Sequence, residues 1–198
     1  MRKANSLAKV LFSAAFVTLF LGLSSCKNEA KPEDTKEVAE DQNDAKFEDN
    51  ESKDDDSEFL VAAAESDLME IEIGNLAISK GTDPGVKEFG KMLVADHTKS
   101  ANEMKPFAEN LQVSLPAAIT DKGKEKFNDL NEKTGKDFDQ KFADMMVSNH
   151  EDAISKMEKA SEDAKDPAIK AWAAEKVPVL KNHLQHAKTL KDKVNNNK

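Results

Sequence analysis

The chain has 198 residues, with 38 acidic and 29 basic side chains and a net charge of −9 at pH 7. No basic patch stands out, which argues against nucleic-acid binding and against electrostatic docking on an anionic lipid surface. The single cysteine excludes an internal disulfide and a metal site built from several thiolates. Residues 59–198 are long enough for one folded domain.

The first 25 residues have the pattern of an export signal. Arg2 and Lys3 precede an apolar stretch at 10–23, which is too short to cross the ~30 Å hydrocarbon core of a bilayer. The sequence Leu-Ser-Ser-Cys follows, and its cysteine, Cys26, is the only one in the chain. This ending resembles the bacterial lipobox. The resemblance implies a lipoprotein signal peptide at 1–25, diacylglycerol on the Cys26 sulfur, and acylation of the new amino terminus, typically with palmitate.

The lipobox resemblance also predicts a membrane-anchored protein of the cell envelope. Several acyl chains on Cys26 give stable anchoring, whereas one chain is marginal. Lys27 follows the cysteine, with no Asp there to indicate retention in the inner membrane, so the outer membrane is favoured. Whether the domain faces the periplasm or the cell surface stays open. The plainer alternative is a secreted protein with an incidental cysteine.

Lipidated Cys26 and the acidic segment after it, 26–58, are predicted to form a disordered tether. Residues 27–58 contain 14 Asp or Glu and five Lys, with no Leu or Ile. Such a segment cannot bury enough apolar surface to offset its conformational entropy, and its like charges extend it. The tether would hold the folded domain away from the membrane.

The remaining part, 59–195, is predicted to be all-α. Apolar side chains recur at three- and four-residue spacings in four long segments, which predicts a four-helix bundle built from two helical hairpins. A short extra helix is predicted in the central connection. Pro106 is expected to kink or end its helix, and Pro178 to bend its own. The predicted helices span 59–80, 84–111, 121–133, 136–164 and 167–194.

Two Asp-Pro pairs mark the starts of the second and fourth long helices. Aspartate caps the first backbone N–H groups, and proline suits the first helical position. The residues after Asp83-Pro84 match those after Asp166-Pro167, with Val or Ile, Lys, and Phe or Trp at equivalent positions. The domain is therefore expected to consist of two similar hairpins.

Three of the four histidines lie on inward stripes of three different helices. Counting 1.5 Å per residue from the Asp-Pro turns places these three within about one turn of the middle of the bundle, level with Glu72. Converging imidazoles and a carboxylate build metal sites in helical bundles. The predicted ligands are His97, His150, His183 and Glu72, with Glu65, Asp67 and His186 as additional candidates and His186 better explained as a surface residue.

Four segments carry a further resemblance: Glu-Ile-Glu-Ile-Gly at 70–74, Val-Ala-Asp-His-Thr-Lys at 94–99, Asn-His-Glu at 149–151 and Pro-Val-Leu-Lys-Asn-His at 178–183. Together they resemble an exported ferritin-like bacterial family, domain of unknown function 4142. The resemblance implies an exported ferritin-like bundle and assigns no activity. Classical di-iron members of the ferritin-like fold use Glu-x-x-His pairs, and this sequence has none. A di-iron site is therefore disfavoured, and zinc, copper, nickel or a single iron suits the histidines better.

Two functions stay open at this point. The first is an envelope lipoprotein whose helical bundle binds a metal ion. The alternative is a non-metal structural or protein-interaction module, tethered to the outer membrane, with an unidentified envelope protein as partner and hydrogen-bonded core histidines. An enzyme is less well supported, because there is no Ser/His/Asp arrangement, phosphate-binding glycine loop or reactive cysteine. Only a metal site would carry chemistry.

Overall fold

The computed structural model describes residues 33–196, and within that range all regular secondary structure is α-helical. The predicted all-α helical bundle is confirmed. No helix in the described range is long and apolar enough to cross a membrane. The signal peptide predicted at 1–25 and the lipidation site Cys26 lie outside the described residues. The helices are α1 (Thr35–Phe47), α2 (Glu51–Lys80), α3 (Pro84–Leu111), α4 (Asp121–Asn131), α5 (Gly135–Asp163) and α6 (Pro167–Asn196).

The four long helices form two hairpins, α2 with α3 and α5 with α6. Each hairpin has a connection of only three residues, 81–83 and 164–166, so its two helices run antiparallel. Contacts of α2 with α5 and of α3 with α6 join the hairpins. The start of α3 is as predicted: Asp83 caps the helix by accepting a hydrogen bond from Gly85 N at 2.7 Å, and Pro84 is the first helical residue.

Neither internal proline ends its helix. Pro106 lies inside α3, which continues to Leu111, and Pro178 lies inside α6, which continues to Asn196. Both prolines are on exposed faces. Water can therefore bond the backbone carbonyl that the missing proline N–H leaves free.

A buried aspartate of the second hairpin holds the turn of the first. Asp139 of α5 accepts hydrogen bonds from the backbone N–H groups of Thr82 and Asp83, at 2.9 and 2.8 Å, and from the Thr82 hydroxyl. Its side chain is almost fully buried. The carboxylate thus satisfies backbone donors that precede α3 and would otherwise lack partners.

The reciprocal contact lies at the other turn. Asp56 of α2 accepts hydrogen bonds from the backbone N–H groups of Lys165 and Asp166, at 2.8 and 2.7 Å. Asp56 and Asp139 are 83 positions apart in the sequence, the same separation as that of the two Asp-Pro pairs. The repeat therefore extends beyond the turns, and each hairpin caps the turn of the other.

The prediction of a disordered tether over 26–58 is wrong for its described part. Residues 35–47 form α1, and α2 begins at Glu51 rather than at 59. Ala39, Asn43 and Phe47 recur every four residues along one face of α1, and all three are buried. Average composition hides a stripe of only three residues in a segment with many charges. Residues 26–32 lie outside the described part.

Polar contacts fix α1 against the connection between α3 and α4. The Asn43 amide donates to the carbonyl of Ser114 at 2.9 Å and accepts from its backbone N–H at 2.7 Å. The Thr35 hydroxyl donates to the carbonyl of Ala118 at 2.8 Å. These bonds supply the specific contacts that a charged, mostly polar helix needs in order to dock.

Replacing Asp139 with alanine tests the reciprocal caps. Asp139→Ala leaves two buried backbone donors and a hydroxyl without their acceptor, and we expect the free energy of unfolding to fall by about 3 kcal/mol. The measurement is urea-induced unfolding followed by circular dichroism. Asp137→Ala removes an exposed carboxylate from the same helix turn and should cost less than about 1 kcal/mol. Equal losses in the two variants would contradict the assigned role.

The ion pair between Asp83 and Lys193 predicts a pH effect. The hydrogen bond from Lys193 Nζ, at 2.7 Å, lowers the pKa of Asp83, and the bond from Gly85 N adds to this against the opposing effect of burial. A lowered folded-state pKa stabilises the protein above the unfolded pKa of about 3.9, and this stability is lost as pH falls through the folded-state pKa. Lys193→Met should reduce the free energy of unfolding at pH 7 by only about 0.5 kcal/mol, because the lysine is half exposed. Once Asp83 is protonated, the substitution should have no effect on stability. Lys141→Met, at an exposed position, is the control in the same urea titrations. A loss of stability in Lys193→Met that does not depend on pH would contradict the assigned ion pair.

Candidate metal centre

A buried polar layer crosses the middle of the bundle between two apolar clusters. One cluster contains Leu60 and Trp172, and the other contains Leu93 and Phe142. Along each long helix, the polar residues of this layer lie between the residues of the two clusters. Every long helix contributes at least one, and none is more than 7% exposed. They are Asp67 and Glu70 of α2, His97 and Ser100 of α3, His150 of α5, and His183 of α6.

The three histidines come together in this layer, as the sequence predicts. One ring nitrogen of each of His97, His150 and His183 lies within 4.8 Å of those of the other two. Nε2 of His150 and Nδ1 of His183 are 3.2 Å apart. Two nitrogen ligands of a tetrahedral zinc ion, at about 2.05 Å from the metal, are about 3.4 Å apart. The spacing is therefore that of two ligands on one ion.

The other nitrogen of each ring faces an oxygen that accepts hydrogen bonds and does not donate them. An ionised carboxylate and a backbone carbonyl both have this property. Each of these ring nitrogens therefore carries a hydrogen and donates it. The pairs are His97 Nδ1 with Asp67 Oδ1 at 2.8 Å, His150 Nδ1 with the Met146 carbonyl at 2.9 Å, and His183 Nε2 with Asp96 Oδ2 at 2.9 Å.

In the neutral rings, the nitrogens that remain carry lone pairs. Burial is the main cause that lowers the pKa of His150, and burial together with the neighbouring histidines lowers the pKa of His183 to about 4. Both rings are therefore neutral at pH 7, with no hydrogen left to join His150 Nε2 to His183 Nδ1. Nε2 of His97 is also buried and has no hydrogen-bond partner. A cation among these three nitrogens would satisfy all of them.

The surrounding carboxylates favour positive charge in the layer. Burial lowers the pKa of His97, but the hydrogen bond to Asp67 and the charges of Glu70, Asp67 and Asp96 outweigh it, so the net shift is upward. One oxygen each of Asp67 and Glu70 is buried without a hydrogen-bond partner. Buried carboxylates in this condition need a proton or a metal ion nearby. The layer fits a divalent cation in charge as well as in donor atoms.

The model of one family, described as Domain of unknown function (DUF4142), matches residues 40–190. This chain belongs to the DUF4142 family. The match begins inside α1, in agreement with the folded state of that segment, and it confirms the resemblance noted in the sequence. No curated protein and no solved structure matches the chain. The family description names no activity, so the function of this DUF4142 domain has to be inferred from its site.

The prediction that Glu72 supplies the carboxylate of the site is wrong. Its side chain is exposed, whereas Asp67 and Glu70 on the same helix are buried. Glu65 also lies elsewhere: it accepts a hydrogen bond from the Thr120 hydroxyl at 3.0 Å and pairs with a lysine of α1. Residues 65 and 72 share a face of α2, but that face is not the one turned toward the histidines.

Two other candidates are resolved by their surroundings. Asp67 joins the site as the hydrogen-bond partner of His97. His186 is exposed, and its ring stacks on Phe89 with the centroids 6.1 Å apart, which agrees with its interpretation as a surface residue. Sequence reasoning missed Glu70 as a site residue. The signal was available, because Glu70 and Asp67 are three positions apart and continue the stripe that includes Ile73 and Ala77.

The position of Glu70 is fixed by a contact across the layer. Its Oε1 accepts a hydrogen bond from the Asn149 amide at 2.8 Å, and Oε2 has no partner. Asn149 immediately precedes His150 on α5. One hydrogen bond thus links the carboxylate of α2 to the helix that provides a histidine of the site.

Proposed function

We propose that this DUF4142 domain binds one divalent transition-metal ion through His97, His150 and His183. The observation that carries the proposal is the pairing of one nitrogen of each ring with a fixed oxygen acceptor. His97 Nε2, His150 Nε2 and His183 Nδ1 are thereby left available to a metal ion. Metal-binding histidines are held in this way, with the second nitrogen donating to a carboxylate or carbonyl that fixes the ring and raises its basicity.

The donor set favours zinc. Imidazole binds zinc, copper, nickel and iron, and three histidines with one further position are a known zinc environment. Among the described residues, this triad is the one group of three or more potential ligands with atoms so close together. A single ion, rather than a di-iron pair, suits this group.

The non-metal alternative is less consistent with the same atoms. If the histidines were only hydrogen-bonded core residues, the layer would be expected to close as a hydrogen-bond network. His97 Nε2 and Glu70 Oε2 instead have no hydrogen-bond partner. A helical module of this kind without a ligand would carry an unfavourable cluster at its centre.

We also propose that the domain is a lipoprotein of the cell envelope, anchored to the outer membrane through Cys26. The lipobox-like ending and the residue after it support the proposal. Eight residues, 27–34, lie between Cys26 and the start of α1 at Thr35. The acidic segment is thus mostly part of the domain and not a long spacer.

Metal content tests the first proposal. The full-length chain, purified in detergent without a polyhistidine tag, should contain about one metal ion per chain. After the metal is removed with a chelator, zinc at about 100 times its dissociation constant should stabilise the chain by about 2.7 kcal/mol. His150→Gln should abolish both effects. His186→Gln is the matched control, because it makes the same substitution at an exposed histidine. A chain that binds no metal, or that loses metal equally in both variants, would refute the site.

Replacing Cys26 tests the anchor. Cys26→Ser removes the sulfur that would carry the lipid, so the protein should leave the membrane fraction and lose a fatty-acid label supplied during growth. The distribution after cell fractionation and the intact mass report the two effects. Retention of Cys26→Ser in the outer membrane, with no mass change beyond that of the substitution itself, would show that the cysteine is not the anchor.

A further inference from the structure

The two sides of the histidine layer are unlike each other. On one side the ring of Phe89 closes the layer, with its centroid 6.1 Å from those of His150 and of His183. On the other side is a cavity of about 70 Å³, lined by residues of all four long helices. His97 and His183 form part of its wall. The layer is therefore packed on one side and accessible on the other.

The cavity connects the layer with solvent. Val179, which is 39% exposed, and Asp96, whose side chain is 43% exposed, both line it. Ser100, a buried hydroxyl one helical turn after His97, also lines it. Since about 10–15 Å³ of such space holds one water, the cavity has room for several waters or a small ligand.

We propose that the fourth coordination position of the bound metal opens into this cavity and takes a small anion. The inference rests on the proposed metal site. Three protein ligands leave a zinc ion one open position, as in catalytic rather than structural zinc sites. The alternative fourth ligand is Glu70. Its side chain does not line the cavity, and it is not part of the group of ligand atoms that lie within 4.8 Å of one another.

The charges around the cavity suit an anion on the metal. Asp67 and Asp96 line it, and each carboxylate accepts a hydrogen bond from a histidine of the site, while the second oxygen of Asp67 has no partner. Lys99 and Lys176 line it as well. The Lys176 side chain is only 13% exposed and pairs with Glu103 outside the cavity lining. The metal is then the strongest unpaired positive charge that a small ligand meets on entering.

Cobalt substitution with azide as the probe tests this inference. The full-length chain is loaded with Co²⁺, whose visible spectrum reports the number and kind of its ligands, and azide is then added. We expect a saturable spectral change with one azide per cobalt. Ser100→Leu and Ala153→Val both narrow the cavity, and each should weaken azide binding at least about tenfold while cobalt still binds. Ala174→Val, at an exposed position of α6, is the matched control and should change nothing.

Three results would overturn the inference. Cobalt that binds with no response to azide would show a closed site, and the metal-binding proposal would survive. Azide binding that appears only in Glu70→Gln would show that Glu70 is the fourth ligand. Absence of cobalt binding in the unaltered chain would reject the inference together with the proposed function. If Ser100→Leu fails to fold, Ala153→Val decides whether the ligand enters through the cavity.

Discussion

The site depends on the register between the two hairpins, and buried aspartates fix that register at both ends. Asp139 holds the turn before α3, and Asp56 holds the turn before α6. A slip of one residue would move a helix by 1.5 Å along its axis, which is large compared with the tolerance of a metal–ligand bond. The polar layer lies between these two fixed turns, so the same contacts that join the hairpins also align the histidines.

The frame of the molecule is a repeat, but the site is not. At the separation of 83 residues, aspartates and Asp-Pro turns recur, whereas the residues of the polar layer differ between the two hairpins. A duplicated frame thus supplies equal depth, and different residues at equivalent positions of the two hairpins supply the three histidines and the acceptor Asp67. The non-equivalent pairs are His97 with Leu180, Asp67 with His150, and Ser100 with His183.

Local chemistry explains what the sequence predicted. Asp83-Pro84 defines a helix start by itself, and counting residues from that start gives the depth of His97. Partners distant in sequence explain what it did not. Glu72 and Glu70 differ only in which face of α2 meets the other hairpin, and α1 is folded because Asn43 finds Ser114 across 71 residues. In the sequence, Asp56 looks like one more surface acid of an acidic segment. Its role is visible only in the folded chain, where it accepts hydrogen bonds from the turn before α6.

X-ray diffraction with anomalous scattering at the absorption edge of the bound metal would locate the ion in the bundle. We expect one peak in the polar layer, about 2.1 Å from Nε2 of His97, Nε2 of His150 and Nδ1 of His183. Asp67, Met146 and Asp96 should keep their hydrogen bonds to the opposite ring nitrogens. A metal peak elsewhere, or a metal-free layer in crystals of chain saturated with zinc, would contradict the account.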